Sequence, residues 1–233
     1  MFAQAKKPRK PSKAEVAAIN AMLSAQSPDD QIKAAEDLVT KYSETDFKAL
    51  ALYVEANAWE MKNNHDKAIV YAEQALETDP KQYDADFLVA NVTAAQAKDT
   101  DLDLNDKLTR AEKAANEGLE NLKAASKPTQ FQLTDAQWES NRKISESQAW
   151  QALGIIASLR KKPADAMTDF NKALALNPDP IFMLRAGRAM LAAKNYDEAI
   201  NWFDKAAAAP DANDQIRKIA ASDKARTLAL KGH

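Results

Sequence analysis

Small and large apolar residues recur along this chain at a helical period, with polar residues between them. In WQALGIIASLRKKPADAMTDFNKALALNP the chain places Trp150, Leu153 and Gly154, then Ala166, Phe170 and Ala173, then Pro178. Spacings of three and four put the members of each set on one face of a helix. The next segment, PIFMLRAGRAMLAAKNYDEAINWFDKAAAAP, repeats the arrangement with Gly187, Ala199, Phe203 and Ala206, displaced by 33 residues. Upstream, LALYVEANAWEMKNNHDKAIVYAEQALETDP sets Ala56, Ala68, Ala75 and Pro80 on the same template, with Trp59 one turn beyond the first small residue. The physical sense of the spacing is direct. Alanine or glycine at 154, 166 and 173 lets two antiparallel helices approach, and Trp150, Leu153 and Phe170 fill the space beside them. Pro178 then stops the second helix.

Extended over the chain, the template predicts a string of helix pairs. A leader occupies 1–13, an N-terminal pair 14–43, a clear repeat 45–81, a degenerate repeat 82–128, a repeat with an extended first helix 129–178, and a further repeat 180–210. Residues 211–231 set Ile216, Ile219, Ala220 and Leu228 against Arg217, Lys218, Lys224 and Arg226, the pattern of a capping helix that seals a stacked array. Ser27-Pro28-Asp29 reads as a helix start, with a capping hydroxyl, a first-turn proline and an acid at the positive end of the helix dipole.

Two insertions interrupt the period. Equivalent alanines lie 43 residues apart from Ala68 to Ala111 and 55 apart from Ala111 to Ala166, against about 34 for a regular repeat of this kind. The first insertion is the acidic turn KDTDLDLND. Asp99, Asp101 and Asp103 open like a calcium loop, but Leu104 stands where that loop needs glycine and Arg110 where it needs a bidentate glutamate. A solvated acidic loop is the expectation. The second insertion carries Phe131, Leu133 and Trp138. Thr134 and Gln137 form a capping box ahead of a helix expected to run to about Lys161 and to project beyond the array or fold back along it.

Composition narrows the chemistry. The chain has 45% hydrophobic residues, only 4 glycines and no cysteine, which favours an all-helical protein and excludes disulfides, thiolate catalysis and zinc–thiolate sites. A net charge of -2 supplies no global field toward nucleic acid or an acidic membrane, and no apolar run is long enough for a transmembrane segment. His65 sits in an expected turn beside Asn63, Asn64 and Asp66 with no nucleophile nearby, so it is read as a solvated turn residue and the protein as no enzyme. Ala3-Gln4-Ala5, followed by the basic KKPRKPSK, resembles the end of a secretory signal and the start of a solvated arm, from which a periplasmic or secreted location is expected, with a cytoplasmic one as the alternative.

The pattern W-x-x-L-G, then A-x-x-x-F-x-x-A, then P resembles the tetratricopeptide repeat, most closely over Trp150–Pro178. The resemblance implies an all-α fold, a right-handed superhelix (α-solenoid) of antiparallel helix pairs. It also implies a concave surface, lined by the first helix of each pair, that receives a peptide or a helix of a partner. Carried onto this chain, the inner-face positions one turn apart are Tyr53 and Asn57, Phe87 and Asn91, Gln151 and Ile155, and Leu184 and Arg188. Asn57 and Asn91 suit a peptide backbone because a carboxamide both donates and accepts, and Arg188 suits a carboxylate. Some members of the family clamp acidic chaperone tails with lysine and asparagine. Tyr53 replaces the first expected lysine here, and the mix of Tyr53, Phe87, Ile155 and Leu184 implies an apolar-anchored segment instead. The expected function is a non-catalytic interaction scaffold with a protein or peptide partner, no nucleic acid, and no cofactor or metal. A component of a bacterial cell-envelope complex is the alternative. No residue sets an oligomeric state, and a monomer is the default expectation.

Overall fold

The computed structural model describes residues 10–128 and 131–232. The Ala3-Gln4-Ala5 triplet and most of the basic leader lie outside the described residues. Among those described there are eleven helices and no strand: α1 Lys13–Ser24, α2 Pro28–Lys41, α3 Lys48–Met61, α4 His65–Thr78, α5 Tyr83–Gln96, α6 Leu104–Ala124, α7 Asp135–Leu159, α8 Pro163–Leu176, α9 Pro180–Ala192, α10 Tyr196–Ala208 and α11 Asp214–Lys231. None of them is long and apolar enough to cross a membrane. The chain divides into two compact units, the first ending at Val92 and the second beginning at Thr93. In the first, α1 packs on α2, α2 on α3 and α3 on α4. In the second, α6 packs on α7, α7 on α8 and α9, α9 on α10, and α11 on both α9 and α10.

The small residues face the large ones as the spacing demands. A Cβ built on Gly154 would lie 2.7 Å from Cδ1 of Phe170, and one on Gly187 would lie 2.5 Å from Cε1 of Phe203. Each phenylalanine ring rests on bare backbone of the partner helix. Ala166, Ala173, Ala199 and Ala206 are fully or almost fully buried beside the rings. In the first unit the equivalent pair is Ala56 and Ala72, both at 0% exposure. There a methyl on each helix takes the place of a hydrogen on one and a ring on the other.

Three of the pairs are joined by the same turn. Asn63, Lys161 and Lys194 have φ of 57°, 59° and 60°, the left-handed region. The residue after each sends its N–H five positions back, Asn64 to Trp59, Lys162 to Ala157 and Asn195 to Met190, each at 2.9 Å. This is the Schellman closure, which caps the first helix and reverses the chain into the second within three residues. Two of the three left-handed positions hold a lysine, which incurs a Cβ clash that glycine avoids. The second helices stop ahead of proline as expected: Asp79 (φ -140°, ψ 102°) and Asn177 (φ -144°, ψ 101°) are extended because the following ring excludes the helical conformation.

The ends and the insertions depart from the sequence reading. The leader was expected to reach residue 13, yet Ser12 caps α1 in a reciprocal box with Glu15, so helix begins at Lys13. The acidic turn is closed by the chain's own cation: Lys107 Nζ lies 2.9 Å from both Asp101 and Asp103, and its hydrogen bond to Asp101 holds that carboxyl below the usual carboxylate range. The long insertion is shared between two helices. α6 reaches 21 residues and α7 25, ending at Leu159 rather than Lys161. The far part of α7 runs back along α6, where the Arg142 guanidinium donates to the Leu122 carbonyl at 3.4 Å and lies 5.9 Å from the Trp138 ring. Lys127 and Asp135 pair across the connection. On α11, Leu228 is exposed instead of buried; Ile216, Ile219 and Ala220 face the core as expected, Thr227 is buried, and Lys224 pairs with Asp204 of α10 at 2.6 Å.

Glu55 of α3 is a buried carboxylate of the first unit. It accepts from Trp59 Nε1 at 3.4 Å and is 3% exposed. Burial pushes its pKa up and the nearby Glu36 carboxylate adds to this, while hydrogen bonds from Tyr71 and Trp59 and the charge of Lys67 pull it down. Because the folded chain holds this proton more tightly than the unfolded chain, the group's contribution is fully favourable below the ordinary glutamate range and declines as pH rises through the raised value.

These contacts set measurable expectations. Phe170→Ala should cost about 3–5 kcal/mol in urea unfolding. Gly154→Ala should destabilise the normal chain but stabilise the Phe170→Ala chain by up to about 1 kcal/mol, since the clash is gone and alanine is the better helix former; equal effects in the two backgrounds would refute the ring-on-glycine contact. Lys161→Gly should raise stability by about 0.5–1 kcal/mol, measured the same way. Glu55→Gln should gain stability relative to the unmutated chain as pH is raised from about 4 to about 8, and a difference that shrinks with pH would contradict the buried carboxylate.

Candidate functional site

Within the second unit the first helices stand side by side. The Ser158 hydroxyl of α7 donates to the Ala189 carbonyl of α9 at 2.7 Å, and the Arg185 guanidinium of α9 donates to Oε1 of Gln151 on α7 at 2.9 Å. These bonds tie α7 to α9 at two levels, about two helical turns of α7 apart. Ala94, near the end of α5, and Ala97, just past it, both belong to the second unit and pack with Leu108, Ala111 and Ile156 of α6 and α7 in one apolar cluster.

A cavity of about 270 Å³ opens along the end of α5, α7 and α9. Ala94, Ala95 and Ala97 line it from the α5 end, Ile155, Ser158 and Leu159 from α7, and Arg185, Arg188, Ala189 and Ala192 from α9. Alanines leave room because they reach no further than a methyl group. Among the described residues the charged groups of the lining are the two guanidiniums. Arg188 donates from Nε to Asp223 Oδ2 of α11 at 2.7 Å; its own side chain is 55% exposed while that of Asp223 is 18% exposed. The capping helix therefore holds one edge of the cavity in place.

The eight positions carried over from the repeat pattern separate by burial. Ile155 and Arg188 line the cavity. Phe87 (0% exposed), Gln151 and Leu184 are buried instead, and this corrects their assignment to an open inner face. Leu184 lies in the same core cluster as Met190, Trp202 and Phe203, and Gln151 is covered by Arg185. Each of the three stands three residues before the small residue of its helix, on the side that the neighbouring helix covers. Tyr53, Asn57 and Asn91 are half-buried in the first unit. Burial, then the charge of Asp84 and the hydroxyl of Tyr83, push the Tyr53 hydroxyl pKa up. Asn91 Nδ2 donates to its own helix at Phe87 O, 2.9 Å away, and Asn57 Nδ2 lies 3.9 Å from Met61 Sδ.

Sequence reasoning passed over Arg185, Ser158, Leu159, Ala189 and Ala192. The available signal was the run of alanines after Gly187 that have no large partner to accommodate. His65 is more than a solvated turn residue: its Nδ1 lies 2.6 Å from Glu60 Oε2, joining the end of α3 to the start of α4. Among the described residues no group of three histidine, aspartate or glutamate side chains is arranged to hold a metal ion.

Comparison with known proteins agrees with this architecture. The tetratricopeptide repeat family matches residues 152–213, which span the end of α7 through α10. No curated protein matches the chain. A thermophilic tetratricopeptide-repeat protein of Thermus thermophilus has a similar solved structure, with a TM-score of 0.61 at 15% sequence identity, covering 89% of this chain and 94% of that one. The tetratricopeptide repeat signature thus lies in the second unit, over residues 152–213, and the helical fold is shared with that solved structure over most of the chain.

Proposed function

We propose that this protein is a non-catalytic scaffold that holds a segment of a partner protein in the cavity formed by α5, α7 and α9. The tetratricopeptide fold is generally a protein–protein interaction scaffold, and the observation that carries the reading here is the alanine-lined cavity along three adjacent first helices. A surface of this kind suits a partner segment for two reasons. Apolar side chains of the partner displace water from Ile155, Leu159 and the alanine methyls, and the fixed helices lose little freedom on binding. Its apolar lining with few charges also agrees with an apolar-anchored segment and differs from a lysine-rich tail clamp.

The reading is tested by photo-crosslinking in the native cell. A crosslinking residue at Ala192, which is exposed in the cavity lining, should give a discrete adduct; the same residue at the exposed Asn171 on α8 should not. Ala189→Trp, which fills the cavity, should abolish the Ala192 adduct while leaving the melting temperature of the protein close to its starting value. Equal labelling from both positions, or an adduct that survives the tryptophan, would remove the cavity from the function.

A further inference from the structure

The lining of the cavity restricts the backbone conformation of what enters it. Among the described residues it is mostly alanine, with Ile155 and Leu159, and it holds no aromatic ring, no carboxamide and no carboxylate. Its polar side chains are engaged within the chain itself. The Ser158 hydroxyl, 4% exposed, donates to the Ala189 carbonyl at 2.7 Å. Arg185 donates to Gln151 at 2.9 Å and Arg188 to Asp223 at 2.7 Å. Main-chain carbonyls inside α7 and α9 accept from the N–H groups of their own helices.

The ways of holding a peptide segment differ in what they demand of the surface. Addition as a strand needs a sheet edge, and there is no strand among the described residues. A polyproline segment needs a groove lined by aromatic rings, which this one lacks. Any extended segment laid on the wall exchanges the water on its N–H groups for methyls, with no free side-chain acceptor in return. Asparagine is the side chain suited to an extended backbone, but Asn57 and Asn91 lie in the first unit, where Asn91 Nδ2 donates to the Phe87 carbonyl.

We infer that the segment received in the cavity is an α-helix of the partner with one apolar stripe. This deepens the scaffold reading and rests on the cavity being its site. A helix satisfies its own backbone, so it asks of the wall only room and apolar contact. Alanines supply the room, because methyl-sized side chains let a further helix approach closely. Packed helices stand about 8–10 Å apart, which is about six or seven residues of a helix lying across them. Residues i and i+7 of the segment therefore reach α7 and α9 in turn, with i+3 or i+4 between them on the same face.

The test selects displayed random segments of about 16 residues, roughly 24 Å of helix, on the full chain, and measures the best as synthetic peptides by fluorescence anisotropy. Selected segments should carry apolar residues at i, i+3 or i+4, and i+7, and should gain a helical circular-dichroism signal on binding. Proline at the centre of such a peptide should weaken binding roughly a hundredfold, and at its first residue less than about threefold. Ala189→Trp, or Ala192→Trp at a more exposed position of the lining, should block binding, with a melting curve for each variant to separate a filled cavity from a lost fold. Segments that these variants block but that gain no helical signal, or that tolerate the central proline, would overturn the helix while leaving the cavity as the site. If neither variant blocks any selected segment, both readings fall.

Discussion

How closely paired helices can approach governs everything else in this chain, and in the second unit that distance is set by a phenylalanine ring lying on a glycine. No side chain fits between Gly154 and Phe170 or between Gly187 and Phe203. Packing at this range is unforgiving, because a single methyl group at the contact must displace a whole ring. Once the ring is seated, the flanking alanines 166, 173, 199 and 206 are buried beside it. In the first unit the equivalent positions 56 and 72 both hold alanine, and both are fully buried. Small against large and medium against medium are two solutions to the same volume constraint.

Turn chemistry converts that pairwise contact into a succession of pairs. The three Schellman closures at Asn63, Lys161 and Lys194 deliver each second helix antiparallel to its first within a few residues. Where α5 passes to α6 the short closure is absent, and a longer turn is held by Lys107 between Asp101 and Asp103. The connection from α6 to α7 is longer still, and both helices extend to support it, with Arg142 and the Leu122 carbonyl joining them. Irregularity is thus concentrated in the connections on either side of α6, and each of these carries an ion pair of its own.

The cavity is a by-product of the same rules. First helices bear small residues so that second helices can approach, and the alanines not covered by a second helix remain as an open, shallow lining beside Ile155 and Leu159. Lateral bonds from Ser158 to Ala189 and from Arg185 to Gln151 keep α7 and α9 in register. The capping helix completes the edge through Asp223. On α9, Gly187 meets the Phe203 ring and Leu184 lies in the core, whereas Arg188, Ala189 and Ala192 line the cavity.

Local chemistry was enough to specify which residues form helices, where most helices stop and which residues meet within a pair. Those properties follow from short periods, from proline sterics and from the complementarity of small and large side chains a fixed distance apart. Ser27, Thr134, Pro80 and Pro178 each did what their chemistry requires without help from distant residues. The open stripe of each first helix was another matter. A helical period gives angular spacing but not the direction from which the next helix arrives, so Phe87, Gln151 and Leu184 look as accessible in the sequence as Ile155 and Arg188 do. Leu228 is exposed and the outer part of α7 lies along α6 for the same reason: those outcomes depend on long-range packing, which a periodic pattern does not encode.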